Sequence, residues 1–281
     1  MKQQFSRIAV KVGSNVLTRR DGTLDVTRMS ALVDQIAELH KTGVEVILVS
    51  SGAVASGRSE VHSSKKLDSV DQRQLFSAVG QAKLINRYYE LFREHGIPVG
   101  QVLTMKENFA TRRHYLNQKN CMTVMLENGV IPIVNENDTV ATHEIEIGDN
   151  DTLSAIVASM IGADLLILLS DIDGLYTDDP RANPDAKFIE TVEHLDESFL
   201  RMGKSTTGSG VGTGGMSTKL TAATIATASG ADMVIANSKD VRIIHRIIDG
   251  ENYGTLFLAE KQDAFDLPDF VENLHSCRAR G

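Results

Sequence analysis

Clustered cysteines, clustered histidines, blocks of one charge and long apolar runs are all missing from this chain of 281 residues. No stretch of about 18 apolar residues exists to span a bilayer. The first residues, Met1-Lys-Gln-Gln-Phe-Ser-Arg7, lack the apolar segment of a secretory signal. Cys121 and Cys277 lie far apart, with no second cysteine at metal-ligand spacing beside either. That rules against a disulfide framework and points to a reducing compartment. The eight histidines are scattered without an H-E-x-x-H pattern, so no metal site built from protein side chains is expected. Lys and Arg number 29 against 37 Asp and Glu, a net charge of −8 with no basic block. Nucleic acid is therefore not expected as a partner. Together these absences predict a cytoplasmic protein with neither membrane nor nucleic-acid partners.

What is present is an alternation of short apolar runs and longer amphipathic ones. The strand-like runs are Ile8–Val12, Val44–Ser50, Ile97–Leu103, Ile131–Val134, Leu165–Leu169 and Met233–Ala236. Most are continuous and rich in Val, Ile and Leu, as strands covered on both faces should be. Helical patterns lie between them. In Thr27–Thr42, Leu32, Val33, Ile36 and Leu39 share a face, and Gly43 is placed to stop the helix. In Asp71–Glu94 the expected stripe is Leu75, Val79, Ala82 and Tyr89. Asn120–Asn128, Thr152–Ile161, Ser217–Ser229 and Val241–Ile248 complete the set. Strands alternating with helices predict an α/β fold with a mainly parallel sheet between two helical layers. The polar, mixed stretch from about Glu260 reads as a loosely attached tail.

In open parallel α/β folds, ligands gather where the chain leaves a strand and begins a helix. The strand ends here are chemically distinctive. The first run closes in Lys11-Val-Gly-Ser14. A lysine inside an apolar strand is costly to bury unless its charge meets a partner. Its compact ammonium suits phosphoryl oxygens, and Gly13 offers an unobstructed backbone donor. The second closes in Ser50-Ser-Gly-Ala-Val-Ala-Ser-Gly57, small residues that suit either tight helix packing or a ligand held against the backbone. The fourth closes in Val134-Asn-Glu-Asn-Asp-Thr139, followed by Ile147-Gly-Asp-Asn-Asp-Thr-Leu-Ser154. Some of these acids and amides must be caps and turns. Others could hold the amino and carboxylate groups of a small polar molecule, with Asp151 placed to orient nearby lysines. After the fifth run, Ser170 and Asp171 precede a loop, Tyr176–Arg181, that could be a surface excursion or a wall for a base and ribose.

The segment Thr206–Lys219 carries five glycines, four threonines, two serines and a terminal lysine, directly before a helical pattern. Glycines let backbone N–H groups converge, and a helix start adds partial positive charge. The composition alone would also suit a flexible linker, but the other strand ends favour a phosphate cradle. Two familiar phosphate signatures do not explain it. G-x-x-x-x-G-K-[ST] does not occur. Gly210-Val-Gly-Thr-Gly-Gly215 matches G-x-G-x-x-G, but follows a polar stretch where a dinucleotide fingerprint needs a buried strand. Two lysines from opposite ends of the chain, Lys11 and Lys219, remain as the phosphate-facing charges.

These elements, taken in order from about residue 6 to about residue 258, resemble the amino acid kinase family: Lys-Val-Gly-Ser, Ser-Ser-Gly-Ala, Asn-Glu-Asn-Asp, Gly-Asp-Asn-Asp-x-Leu-Ser-Ala, Asp-Gly-Leu-Tyr-Thr-Asp-Asp-Pro-Arg and Gly-Thr-Gly-Gly-Met-Ser-Thr-Lys. The Asn-Glu-Asn-Asp and Gly-Asp-Asn-Asp pair resembles those members that use ATP to phosphorylate the side-chain carboxylate of L-glutamate, the first step of proline synthesis. The resemblance implies a three-layer α/β/α sandwich over residues 1–260. The acceptor would bind in the part before about residue 160 and ATP in the part from about 161, with 261–281 as a C-terminal tail. It implies Lys11 and Lys219 at the transferring phosphoryl group, with Asp151 holding both. Ser51, with Gly52 and Ala53, Asp138 and Asn150 would bind glutamate. Lys11, Gly13, Ser170, Asp171, Tyr176 and the loop Thr213, Gly214, Gly215, Met216, Ser217, Thr218 and Lys219 would bind ATP. Magnesium with the nucleotide, feedback inhibition by L-proline and homo-oligomers are implied as well. Position 170 is serine where threonine is commoner, which keeps the hydroxyl. Many relatives carry a further PUA domain, and a form without it is expected here.

A carboxylate acceptor is already a nucleophile at neutral pH, so a site of lysines and glycines without a placed histidine fits such chemistry. Members that act on acetylglutamate, aspartate or uridylate are the alternatives within the family. Uridylate would call for arginines near the acceptor, and segments 50–57 and 135–150 contain neither arginine nor lysine. A nucleotide-binding regulatory protein without turnover is the alternative outside the enzyme class.

Overall fold

The computed structural model describes residues 5–61, 66–140, 147–196, 199, 215–240, 242–251 and 253–274. Ten strands and ten helices are defined among them. The chain begins with β1 (Arg7–Val12), a short α1 (Ser14–Leu17), α2 (Val26–Lys41), β2 (Glu45–Ser50), α3 (Ala53–Arg58) and α4 (Ser69–Glu94). Next come β3 (Val99–Thr104), α5 (Glu107–Ala110), α6 (Arg112–Glu127), β4 (Ile131–Glu136), α7 (Asn150–Ile161) and β5 (Leu165–Ser170). Three short strands, β6 (Leu175–Tyr176), β7 (Phe188–Ile189) and β8 (Thr191–Val192), precede α8 (Met216–Ser229) and β9 (Asp232–Asn237). The last elements are α9 (Ile243–Ile248), β10 (Thr255–Phe257) and α10 (Leu267–Glu272).

Eight strands form one sheet in the order β3-β4-β2-β1-β5-β9-β10-β8, while β6 and β7 pair as a separate ribbon. All pairings in the large sheet are parallel except β10 against β9. β1 lies at the centre, with β2 on one side and β5 on the other. The chain winds outward from β1 in one direction and then in the other, so a crevice opens at the carboxyl ends of β1 and β5.

The period-2 alternation of each strand divides the core in two. Ile8, Val10 and Val12 pack with Leu32, Ile36, Tyr88 and Phe92 of α2 and α4. Ala9, Ile47, Val49, Leu166 and Leu168 pack with Ile156, Met160, Leu220 and Ala223 of α7 and α8. The result is the expected three-layer α/β/α sandwich with a mainly parallel sheet. By the same alternation Lys11 faces the α7 and α8 side, as Ala9 does.

Several sequence expectations need correction. The buried stripe of α4 is Phe76, Gly80, Leu84, Tyr88 and Phe92 rather than Leu75, Val79, Ala82 and Tyr89, and Tyr89 is 52% exposed. The large rings of Tyr88 and Phe92 together with Gly80 decide the face, and the expected stripe is rotated away from it. α6 starts at Arg112 instead of Asn120, because its first two turns are polar and exposed and carry no stripe to read. The region after Glu260 is not loose over its described part. Leu267, Val271 and Leu274 are buried in the core layer that contains α7, with Phe265 and Phe270 against them. Lys106 Nζ also donates to the Glu272 carbonyl at 3.2 Å. The polar composition hid this because the few apolar residues fall on one face of a short helix. The four shortest strands, β6, β7, β8 and β10, carry too few residues for any pattern.

Candidate active site

Lys11 sits in β1 opposite Val49 of β2 and Leu168 of β5, and is 7% exposed. Its ammonium lies 2.6 Å from Asp151 Oδ1. Lys219, in the first turn of α8 and 4% exposed, lies 2.9 Å from Asp151 Oδ2 and donates to it. Thr218 adds a second donor to the same oxygen at 3.0 Å. Asp151 is in the first turn of α7, where a carboxylate meets the positive end of the helix. Burial by itself would raise its pKa. The charges of Lys11 and Lys219, and the hydrogen bonds they make, outweigh that and hold the carboxyl well below the usual carboxylate range. Two ammonium groups share one carboxylate, so this trio by itself carries a net positive charge.

A cluster of amides lies alongside. Asn150, the neighbour of Asp151, donates from Nδ2 to Ser51 Oγ at 2.7 Å and to Asn135 Oδ1 at 3.0 Å. Asn135 in turn donates from Nδ2 to Gln81 Oε1 at 3.0 Å. Ser51 leaves β2 with its N–H still bonded to the Val12 carbonyl. Gly52 follows at φ +108°, a left-handed conformation that glycine adopts without strain, and Ala53 opens α3. Behind Ser51, the buried Tyr88 hydroxyl is 2.9 Å from Ser50 Oγ.

Other polar residues of these segments have structural duties. Glu136 accepts from the backbone N–H of Ile147 at 2.6 Å and of Gly148 at 3.2 Å, tying the start of the next segment to β4. Asp149 caps α7 by accepting from the Thr152 N–H and hydroxyl. Asp138 lies 3.8 Å from Arg73 Nε. The cation absent from segments 50–57 and 135–150 is thus supplied by α4.

At the end of β5, the Ser170 hydroxyl is 3.3 Å from Asp171 Oδ1, and Asn15 Nδ2 reaches Asp171 Oδ2 at 3.4 Å. Gly13 caps α1 beside Lys11. Tyr176 packs edge-on against Phe188 at 5.2 Å in the β6–β7 ribbon, and no hydrogen bond or ring contact among the described residues links it to the lysines. Gly215 caps α8, and Met216, Ser217 and Thr218 form its first turn. Thr213 and Gly214 lie outside the described residues. The structure therefore brings Lys11, Lys219, Asp151, Asn150 and Ser51 into one connected cluster, with Thr218 beside them.

Residues 6–237 match the model of the amino acid kinase family. A glutamate 5-kinase of Bacteroides thetaiotaomicron is 68% identical over 246 residues, 87% of this chain and 67% of that protein. A glutamate 5-kinase of Clostridium acetobutylicum is 45% identical over 257 residues, 92% of this chain and 96% of that protein. The chain belongs to the amino acid kinase family. Among solved structures, a UMP kinase from Ureaplasma parvum covers 91% of the chain with a TM-score of 0.62 at 16% identity. At that identity the likeness shows the amino acid kinase fold alone.

Asn135, Gln81 and Arg73 are the site neighbours that sequence reasoning left unassigned or missed. Asn135 stood inside a flagged cluster without a role. Gln81 follows Gly80, and a glycine inside a long helix, costly to helix stability, signals a close backbone contact nearby. Arg73 carries no signal of its own in the sequence.

Proposed function

We infer that this amino acid kinase transfers the γ-phosphoryl group of ATP to the side-chain carboxylate of L-glutamate, yielding L-glutamyl 5-phosphate, the opening step of proline synthesis. The observation that carries the reading is the sharing of Asp151 by Lys11 and Lys219, directly beside the Asn150–Ser51 pair. Consecutive residues of α7 thus serve the phosphoryl-facing cations and the acceptor-facing amides. The identity to glutamate 5-kinases over most of the chain supports the choice of acceptor.

In this reading the glutamate carboxylate attacks the γ-phosphorus in line, the bond to the β–γ bridging oxygen breaks, and ADP leaves with that oxygen. No general base is required, because the nucleophile is already ionised at neutral pH. Lys11 and Lys219 neutralise charge on the phosphoryl oxygens, and Asp151 keeps them aligned before substrate arrives. Ser51, Gly52, Ala53, Asp138 and Asn150 bind the acceptor. Gly13, Ser170, Asp171, Tyr176 and residues 213–219 bind the nucleotide, so the acceptor half is about 1–160 and the ATP half about 161–260. Mg2+ bound with the nucleotide would supply charge neutralisation at the phosphates. The strand ends carry the Lys11 ammonium, hydroxyls and amides together with the Asp138 and Asp171 carboxylates, and a metal would arrive with the phosphates. Among the described residues, no cluster of three His, Cys, Asp or Glu side chains could hold such an ion. Among them, too, no helix is long and apolar enough to cross a membrane. Inhibition by L-proline and self-association enter the proposal through the family resemblance.

Incubation with ATP, Mg2+ and hydroxylamine tests the acceptor, because acyl phosphates are trapped as hydroxamates. Signal with L-glutamate in preference to N-acetylglutamate and aspartate is expected. Selective signal with another acceptor, or ATP binding without ADP release, overturns the reading.

A further inference from the structure

We propose that Gln81 is a positioning residue: it sets the direction of a carboxamide relay, Gln81–Asn135–Asn150, that leaves Asn150 Oδ1 to receive the ammonium group of the acceptor. The inference rests on the proposed glutamate reading and deepens it.

α3 and α4 pack backbone against backbone. A Cβ on Gly80 would overlap the Ala53 carbonyl oxygen and the Gly57 N–H, and one on Gly57 would overlap the Phe76 carbonyl. The two backbones therefore touch, and α4 has no freedom to slide relative to the segment that begins at Ser51. Gln81 extends from this fixed point into the interior and is only 8% exposed. Its carbonyl oxygen accepts from Asn135 Nδ2, and Asn135 is 4% exposed. With its amino group directed at Gln81, Asn135 turns its oxygen toward Asn150 and accepts from Asn150 Nδ2. That amino group makes its second bond to Ser51 Oγ.

A carboxamide amino group has two protons, and both of those on Asn150 are committed to protein oxygens. The carbonyl of Asn150 is the half of the side chain left over, and among the described residues no protein group donates to it. An acceptor-only group of this kind is complementary to a cationic donor. The carboxylates of glutamate find no match there, whereas its ammonium group does. The relay thus turns a hydrogen-bond direction set in the interior into a preference for an acceptor with a free amine.

Glutarate is glutamate without the ammonium group and still carries a carboxylate that can be phosphorylated and trapped as a hydroxamate. The intact enzyme is expected to use glutarate with a kcat/KM lower by roughly 10-fold to 100-fold, the range for one hydrogen bond to a charged group. Gln81→Met removes the acceptor at similar size. It should raise KM for L-glutamate roughly 10-fold or more, leave kcat and the KM for ATP little changed, and leave glutarate unaffected, so that discrimination collapses. Gln81→Glu retains the oxygen that Asn135 needs and should keep discrimination within about threefold of the parent, a difference too small to cost a hydrogen bond.

Equal loss toward both acceptors, or loss confined to kcat, would reveal a purely structural residue and overturn the proposal. Loss of discrimination in Gln81→Glu overturns it as well. If Gln81→Met does not fold, the parent decides: equal use of glutarate and glutamate means no ammonium is read. Absence of signal with either acceptor in the parent, while N-acetylglutamate or aspartate reacts, instead marks failure of the glutamate reading itself.

Discussion

A single buried carboxylate organises the charged chemistry of this chain. Asp151 is 1% exposed and accepts both Lys11 and Lys219. Burying three ionised groups is tolerable only because each meets an opposite charge, and removing Asp151 would leave two ammonium groups uncompensated. The two lysines are not redundant, since each occupies a different oxygen of Asp151 and approaches from a different layer. Lys11→Ala and Lys219→Ala are each expected to lower kcat by roughly 10²–10³, the loss typical of one preorganised donor at a developing charge. Steady-state ADP release on variants with parental melting curves checks this. Near-parental turnover in either variant would remove that lysine from the phosphoryl site.

At the scale of elements, close packing of α3 against α4 positions Ser51 and Gln81. α3 and α4 make contact through Gly57 and Gly80, where no side chain has room. The small residues after β2 suited both packing and ligand binding, and the structure uses Gly57 for packing. Ser51 and Gly52, just upstream, remain at the strand end. Gly80→Ala would place a methyl group against backbone atoms that cannot rotate away. The expected cost is about 1–3 kcal/mol, as for overpacking elsewhere. It should appear as a melting temperature lower by several degrees and a raised KM for the acceptor. An unchanged melting temperature would show slack between the helices and weaken the case for a rigid Gln81. The length of α6 and the stripe of α4 were misread for related reasons. A polar exposed turn leaves no periodic trace, and α4 carries apolar residues on more than one face, so Leu75, Val79 and Tyr89 compete in the sequence with the buried Phe76, Leu84, Tyr88 and Phe92.

Across the whole molecule, the chain returns at its end to the layer that contains α7. After β10, the segment through α10 packs its apolar face beside α5 and α7. Leu267→Ala should therefore cost about 2–5 kcal/mol of unfolding free energy, the range for a buried leucine. Denaturant titration would detect it, and no change would return this segment to the status of a loose tail. The strands and their polar ends were legible in the sequence, because a strand buried on both faces must be continuously apolar and its first polar residues mark where the crevice opens. Lys11 and Lys219 could be singled out because charge in an apolar or glycine-rich setting demands a partner, and the resemblance implied Asp151 as that partner. The tertiary structure decided which carboxylate oxygen each lysine takes and added Thr218 as a further donor. Local periodicity reports the face a residue takes but not the element opposite it. The Gln81–Asn135–Asn150 relay and the arrival of Arg73 beside Asp138 depend on helix positions that only the packed core sets.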